Sequence, residues 1–326
     1  MRCFAVALVL VLGACGSSNN DAPGDGQGGD SAGDGAGGDG TGADGSVVDA
    51  PPDPCVPGTW CTETAPGTPT ILRSAWAAST DEVFAVGNGG TILHRQNLVW
   101  TAMNSPTSED LKGVWGASST DVWAVGNAGT ILRYDGTDWT ATGNITSDLE
   151  AVWGSGPNDV WIVGTGKVVH YDGSTFEPRV LTGHPLSVSG TGPTDVWVTG
   201  ENAQVAHFTG TWTTGIDPGA GITYFAIVAL AANDVWITTL TSNKETLEFG
   251  GSTWTPHAAP ATGFLSIHAV SSNDIWAAGA TRVGHWNGTD WTIEKPAGNV
   301  IQLMGTGGSG SSLWIVGTES TILHRR

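Results

Sequence analysis

Apolar and polar residues alternate in short segments along most of the chain, most clearly between residues 111 and 140. Within LKGVWGASSTDVWAVGNAGTILRYDGTDWT, the segments LKGVWG, DVWAVG, TILRY and DWT are rich in β-branched and aromatic residues. Turns containing Gly separate the last three segments, as in β-hairpins. No segment keeps the i, i+3, i+4 apolar spacing of an amphipathic helix. The unit is therefore predicted to form four short antiparallel strands.

This unit recurs along the chain, and a steady period is the signature of a repeat fold. Its second-strand aromatic residues lie 39, 38, 36, 39, 40 and 38 residues apart, at Phe84, Trp123, Trp161, Trp197, Trp236, Trp276 and Trp314. Seven repeats of four antiparallel strands predict an all-β fold, a seven-bladed β-propeller built from four-stranded blades.

The seventh repeat stops after its third strand. The other six repeats have a fourth-strand aromatic residue, at Trp100, Trp139, Phe176, Trp212, Trp254 and Trp291. Upstream, residues 58–60 match residues 210–212, and Trp60 precedes Trp100 by 40 residues, one period. We therefore predict that the N-terminal strand around Trp60 pairs with the strand around Ile322 in the last blade. This closure removes an exposed sheet edge.

The charge of the chain restricts its partners. The 326 residues include 31 Asp or Glu and 12 Lys or Arg, a formal net charge of −19, and residues 55–326 alone carry −12. Because phosphate contacts need clustered cations, this charge argues against a nucleic-acid partner. No run of 18 apolar residues is present, so no mature membrane-spanning helix is predicted. The 16 Trp supply enough apolar area for a large core.

The N-terminus has the pattern of an export signal. A short basic start precedes an apolar stretch at residues 3–12, which has the length of a signal peptide. The stretch ends in Leu-Gly-Ala-Cys, which resembles the bacterial lipobox. The resemblance implies a lipoprotein signal peptide at residues 1–14 and a diacylglycerol and an N-acyl chain on Cys15, enough acyl chains for stable anchoring. Gly16 does not resemble the inner-membrane retention signal, so the resemblance favours the outer membrane or the cell surface.

Residues 15–54 are predicted to be the lipidated Cys followed by a disordered linker. Residues 16–53 contain 12 Gly and 8 Asp, and no Lys, Arg or aromatic residue. Such a segment cannot bury enough apolar area to offset its chain entropy. A Gly-rich coil of this length spans roughly 35 Å. Its Asp spacing does not match a calcium-binding loop, so the segment is interpreted as a tether for the propeller at residues 55–326.

Two cysteines remain in the predicted propeller. Cys3 lies in the signal and Cys15 is the lipidation site, which leaves Cys55 and Cys61. Because an exported protein meets oxidising conditions, we expect a Cys55–Cys61 disulfide.

The most conspicuous polar residues repeat once per blade. A third-strand column contains His94, Arg133, His170, His207, Glu248, His285 and His324, and a second-strand acid column contains Glu82, Asp121, Asp159, Asp195, Asp234 and Asp274. Residues spread around a ring cannot converge on one ion. We therefore expect a structural pair in each blade and predict no metal, no cofactor and no catalytic residue. Blades five and seven break the pairing, His184 and His257 are assigned to inter-blade loops, and His268 is expected to pack or to line the channel.

Binding residues in a repeat protein are expected where the repeat is broken. In propellers, the turns after the second strands lie at the same end of the ring as the inter-blade loops. The candidate binding residues in these turns are Lys167, Glu201, Arg282 and Glu319, and in or near the loops Asp110, Asp148, His184 and Asp217.

Two known types of propeller share features with the repeat. The turns at residues 135–139, 210–212, 251–254 and 287–291 resemble the Asp-box repeat of sialidase-type propellers. The order of the whole repeat over residues 72–326 is similar to tectonin-type lectin propellers. The leading Ser and the Asp spacing of the Asp box are absent here. A sialidase needs an Arg cluster and a Tyr activated by a Glu, and the three Tyr include only Tyr224 outside the third-strand repeat column.

The sequence is interpreted as a membrane-anchored, exported, monomeric β-propeller lipoprotein that binds a protein or a glycan. One alternative is a glycan-cleaving hydrolase of the sialidase-like propeller type, since carboxylate separations cannot be read from sequence. A further alternative is a structural envelope component without a ligand.

Overall fold

The computed structural model describes residues 55–181, 183–202, 204–216, 218–219, 222–239, 245–258, 263–294 and 302–326. The predicted signal peptide, Cys15, the linker and Asp217 lie outside these residues. Among these residues, the structure contains no helical segment with the length and apolar character of a membrane span.

The described residues form short strands, each about as long as the alternating segments of the sequence. The first half contains β1 (Trp60–Glu63), β2 (Leu72–Ala77), β3 (Val83–Gly87), β4 (Ile92–Gln96), β5 (Val99–Ala102), β6 (Leu111–Ser118), β7 (Asp121–Gly126), β8 (Ile131–Tyr134), β9 (Trp139–Ala141), β10 (Leu149–Gly156), β11 (Asp159–Gly164), β12 (Lys167–Tyr171), β13 (Phe176–Val180) and β14 (Pro185–Gly192). The second half contains β15 (Asp195–Gly200), β16 (Val205–Phe208), β17 (Trp212–Thr214), β18 (Tyr224–Ala231), β19 (Asp234–Thr239), β20 (Glu245–Phe249), β21 (Trp254–Ala258), β22 (Ser266–Ser271), β23 (Asp274–Gly279), β24 (Arg282–Trp286), β25 (Trp291–Glu294), β26 (Leu303–Ser309), β27 (Ser312–Gly317) and β28 (Ile322–Arg325).

These strands form seven four-stranded antiparallel sheets in the described part of the chain, which confirms the predicted seven-bladed β-propeller. In blades one to six, four consecutive strands pair in chain order. The first strand of each blade is the innermost, and these inner strands contact one another around the ring, with β26 beside β2. Together they line a central channel with a cavity volume of about 470 Å³.

The seventh blade is closed by the N-terminal strand, as predicted. Its order is β1-β28-β27-β26, and β1 runs antiparallel to β28 with Trp60 opposite Arg325 and Glu63 opposite Ile322. Cys55 and Cys61 form a disulfide just before and within β1, with a Cα–Cα distance of 5.6 Å. The predicted disulfide is thus also confirmed, and it fixes the entry to the closing strand.

The core lies between neighbouring blades rather than in one central layer. The second-strand Trp residues, such as Trp123 and Trp197, are at most 3% exposed. Each packs against aromatic residues of the next blade; Trp197, for example, contacts Phe249 and Trp254 at ring-centroid distances of 5.1 and 6.3 Å. Because every blade covers its neighbour in this way, the apolar area is buried only when the ring is complete.

The wall of the channel has a tighter packing rule. The rings of Trp76, Trp115 and Trp153 lie over glycines of the next inner strand. A Cβ added to Gly116 would lie 2.6 Å from the Trp76 ring. Only glycine leaves room for the ring at this position, which explains the Trp-Gly pair in the repeated segment VWG.

The two ends of the ring differ in what they present. Inner strands begin where second strands end, since Leu111 pairs with Gly126 and the equivalent pairs recur around the ring. The turn after a second strand lies at that end too, as Asn127 donates its backbone N–H to Asp110 O. We call this end the upper face and the opposite end, where the second strands begin, the lower face.

Candidate functional site

A ring of seven half-buried side chains lines the channel near the upper face. Each directly follows a buried residue at the start of its inner-strand segment, as Lys112 follows Leu111. The members of this mouth ring are Arg73, Lys112, Glu150, Leu186, Phe225, Leu265 and Met304. Blades one to three contribute the charged residues, and blades four to seven contribute the apolar ones. The mouth ring is therefore divided into a charged arc and an apolar arc.

The charged arc is held by contacts between blades. Lys112 Nζ donates to Glu150 Oε1 over 2.7 Å. His184 Nε2 lies 3.3 Å from the same oxygen, and His184 Nδ1 lies 3.4 Å from Glu201 Oε1. His184 thus lies between the carboxylates of Glu150 and Glu201. This chain of four residues links blades two, three and four at the upper face.

Arg73 occupies the mouth-ring position of blade one. Its Nε donates to Asn88 Oδ1, and its guanidinium lies 3.7 Å from Asp110. Asp110 also accepts the backbone N–H of Gly89 over 2.9 Å. These contacts fix the side chain beside Lys112 of the next blade.

The acidic residues predicted in the inter-blade loops have a structural role. Asp110 accepts the Gly89 N–H, and Asp148 accepts the Ala128 N–H over 2.8 Å. Ala128 has a positive φ of 54°, so its turn benefits from a fixed acceptor. Each Asp therefore caps the turn of the preceding blade. Asp217 lies outside the described residues.

The four candidate binding residues lie at the upper face in four different blades. Lys167 begins β12, Arg282 begins β24, Glu201 follows β15, and Glu319 lies in the turn after β27 with a φ of 53°. Of these four, Glu201 contacts the charged arc, through His184. Arg282, Glu201 and Glu319 are exposed. Lys167, Arg282 and Glu319 are not among the residues that line the channel.

The mouth ring was not among the sites predicted from the sequence. The signal was present, because the residue after the buried first position of each inner strand changes from Arg or Lys to Glu, Leu, Phe and Met. Within a single repeat, each of these residues occupies an ordinary half-buried position in a strand. The division into two arcs becomes visible only when the blades are arranged in a circle.

The lower face carries the repeated pairs that the sequence predicted, which we call the Asp–His ladder. The pairs are Glu82–His94 at 3.4 Å, Asp121–Arg133 at 2.8 Å, Asp159–His170 at 2.6 Å, Asp195–His207 at 2.6 Å and Asp274–His285 at 2.9 Å. Each His also stacks on the second-strand aromatic ring of its own blade, at 3.7 Å in the case of Trp197 and His207. The ladder thus ties the second strand to the third.

Blade five keeps the ladder with a residue from another strand. Asp234 lies opposite Glu248, and burial together with the nearby Glu248 carboxylate raises the pKa of Asp234. His257 Nε2 donates to Glu248 Oε2 over 2.7 Å, and the imidazole stacks on Trp236 at 4.9 Å. The assignment of His257 to an inter-blade loop was wrong, because β21 extends to Ala258 and places the imidazole beside the ladder.

Blade seven keeps the ladder with a residue from the closing strand. Ser312 replaces the acid, and Glu63 of β1 lies 3.2 Å from His324 Nδ1 instead. Glu63 also accepts two hydrogen bonds from Arg95, of 2.9 and 3.0 Å, and one from Trp100 Nε1 of 2.6 Å. Burial opposes ionisation of Glu63, but the hydrogen bonds from His324 and Arg95 outweigh it and lower its pKa. One carboxylate thus joins the closing strand to blades one and seven.

Two further groups contain side chains capable of chemistry. Cys55, Cys61, Glu63 and His324 form the cluster of possible metal ligands in the described residues, but the two sulfurs are joined to each other and Glu63 is engaged by Arg95. His268 lines the channel as expected, and burial lowers its pKa to about 4. An imidazole kept neutral in this way is a packed wall residue.

Comparison with known proteins shows the fold alone. No family model matches the chain, and no curated protein matches it. Among solved structures, a YCF48 protein bound to a D1 peptide is similar with a TM-score of 0.67 and 14% identity, over 82% of this chain and 96% of that one. A catalytically inactive virginiamycin B lyase from Staphylococcus aureus with quinupristin has a TM-score of 0.72 and 16% identity, over 82% and 98%. The WD40 β-propeller domain of Doa1 has a TM-score of 0.69 and 10% identity, over 82% and 97%. This chain is a β-propeller like all three.

Proposed function

We propose that the protein is a binding module that holds its ligand at the channel mouth of the upper face. The observation that carries this proposal is the mouth ring. The Trp-Gly packing of the channel wall occurs at three of the contacts between blades, whereas the seven mouth-ring positions divide into a charged arc and an apolar arc that together run round the whole ring. Packing does not dictate such positions, so they are free to match a ligand.

The channel mouth favours binding over catalysis. Glu150 is the one carboxylate among the described residues lining the channel, and Lys112 holds it at 2.7 Å. Cleavage of a glycosidic bond needs two carboxyl groups flanking the bond. The similar solved structures include a YCF48 protein bound to a D1 peptide and a lyase with quinupristin, which supports a ligand-binding role for this fold.

We further propose that the propeller is exported and tethered to the outer membrane or cell surface through a lipid on Cys15, with residues 16–54 as the spacer. The support is the apolar stretch and the Leu-Gly-Ala-Cys sequence. Labelling with radioactive palmitate should mark the wild-type chain and leave Cys15→Ala unmarked. An unlabelled wild type would contradict the anchor.

The binding function is tested by affinity capture from envelope extracts with the full chain. We compare the wild type with the mouth variant Lys112→Gln/Leu265→Ser and with Arg179→Gln, whose residue lies on the exposed outer strand β13. We expect at least one envelope component that is captured by the wild type and by Arg179→Gln but not by the mouth variant. The same components on all three proteins would overturn it.

A further inference from the structure

The apolar arc consists of large side chains that stand half-exposed in the channel. Leu186, Phe225, Leu265 and Met304 come from four consecutive blades and line one side of the channel mouth. None belongs to the buried apolar clusters between the blades. Because these side chains are available for contact, a ligand that removes them from water lowers the free energy of the complex.

The charged arc on the other side offers both donors and acceptors. Glu150 receives its contacts from Lys112 and His184 on Oε1 alone, so Oε2 has no hydrogen bond among the described residues. Lys112 Nζ has three N–H groups and donates one of them to Glu150. Since Glu150 offsets the charge of Lys112 and Asp110, at 3.7 Å, offsets that of Arg73, the arc does not select strongly for a ligand of one sign. It suits a group that has N–H donors and C=O acceptors side by side.

A peptide main chain has that combination, with side chains attached to it. Each residue carries one N–H and one C=O, and a large apolar side chain can reach across the channel while the main chain meets the charged arc. A sugar ring carries hydroxyl groups around its edge, and burying them against four apolar residues leaves them without partners, which is costly. The cavity of about 470 Å³ holds a short segment rather than a domain.

Building on the proposed binding function, we infer that the ligand is a peptide segment with a large apolar side chain. That side chain packs on Phe225 and Leu265, and the adjacent main chain hydrogen-bonds to Lys112 and Glu150. Specificity comes from the apolar side chain, since the polar contacts are made to groups that every peptide has.

The test uses a dodecapeptide phage library panned on the full chain, followed by fluorescence anisotropy with the enriched synthetic peptides. We expect enriched sequences to share one Leu, Met, Ile or Phe whose replacement by Ser weakens binding at least tenfold. Phe225→Ala should weaken it by a similar factor, and Lys112→Gln several-fold. The matched control is Val180→Ala, which removes an 88% exposed apolar side chain from the outer strand β13 and should change nothing.

Loss of the fold is separated from loss of the site by melting temperature, and Leu265→Ser serves if Phe225→Ala does not fold. Peptides that bind equally well to wild type and Phe225→Ala would overturn the inference. So would an empty peptide screen in which a glycan array or phospholipid vesicles bind instead. If a glycan or vesicle binds and the Phe225→Ala variant binds it more weakly, the proposed binding function at the channel mouth still holds. If Phe225→Ala does not change that binding, both the proposed function and the peptide inference are wrong.

Discussion

The lower and upper faces of the ring differ in what happens where a blade departs from the repeat. At the lower face, blade five lacks the third-strand His and blade seven lacks the acid, yet His257 and Glu63 restore the contacts from other strands. At the upper face, the mouth ring changes from Lys112 to Leu186 to Phe225 with no such restoration. A lost contact that another strand replaces is needed for the structure. A position that changes without such replacement is not needed for packing and can be used to bind a ligand. The comparison predicts that lower-face and closure substitutions cost stability, and that mouth substitutions cost binding.

The largest effect is expected at Glu63. Glu63→Gln removes the nearer and more buried of two carboxylates that offset the fully buried Arg95; the other, Asp81, lies 3.5 Å away and is 55% exposed. Breaking a buried ion pair from one side costs about 3–5 kcal/mol. Urea unfolding measures the change, with Glu177→Gln as control, because its pair with Arg179 is about half exposed and such pairs contribute less than about 1 kcal/mol. Equal effects of the two substitutions would contradict the role of Glu63.

The Glu63 effect should depend on pH. Its folded-state pKa is lowered from the ordinary value of 4.5. The carboxylate therefore stabilises the fold fully above that value, and the contribution is lost as the pH falls through the lower folded-state pKa. The difference in unfolding free energy between wild type and Glu63→Gln should shrink on acidification below 4.5. A difference that stays constant to the acid limit of folding would contradict this assignment.

A smaller loss is expected where a ring packs on glycine. Gly116→Ala places a Cβ 2.6 Å from the Trp76 ring. Overpacking of this kind costs about 1–3 kcal/mol. Gly156→Ala is the matched control, since its Cβ would meet nothing within 4 Å. The melting temperature of Gly116→Ala should therefore be lower than those of the wild type and the control. Equal melting temperatures would contradict the Trp-Gly packing.

A moderate, pH-dependent effect is expected at His268. Burial lowers its pKa from 6.5 to about 4, so on acidification through this window the unfolded chain takes up a proton that the folded chain does not. Wild-type stability should fall across the window, and His268→Gln should make the fall shallower. Unfolding free energies at pH 7, 5.5 and 4.5 measure it. Parallel curves for the two proteins would show that His268 does not titrate in this way.

The smallest effect on stability is expected at the mouth. Lys112→Gln breaks a contact with Glu150 between two partly exposed side chains, which contributes at most about 1 kcal/mol. Its unfolding curve should nearly overlay that of wild type. A loss as large as that of Glu63→Gln would mean that the mouth ring is part of the framework, and the contrast between the two faces would disappear.

The sequence predicted the framework because the framework repeats. Second-strand Trp residues at a steady spacing predict the blades, and the missing fourth strand near Ile322 predicts the partner of Trp60. Each of these inferences compares one repeat with the next, so errors occur where a repeat departs from the others. His257 was assigned to a loop because the longer β21 of blade five cannot be recognised from its neighbours.

The mouth ring was not predictable by the same comparison. Arg73, Lys112 and Glu150 differ in charge, so no column marks them, and their proximity follows from the circular arrangement of blades. The candidates chosen from the turns, such as Arg282 and Glu319, satisfy the rule that function lies where repeats differ. These turns follow the second strands, whereas the channel is formed by the inner strands. The rule alone does not distinguish the channel mouth from the surrounding turns.

The most direct test of the two-face account is one binding measurement on three proteins. The affinity for a single peptide enriched by the wild type is measured for wild type, for Phe225→Ala at the mouth and for Asp159→Asn in the Asp–His ladder, alongside each melting temperature. We expect at least tenfold weaker binding with little change in stability for Phe225→Ala, and lower stability with unchanged affinity for Asp159→Asn. Unchanged affinity in folded Phe225→Ala would contradict it.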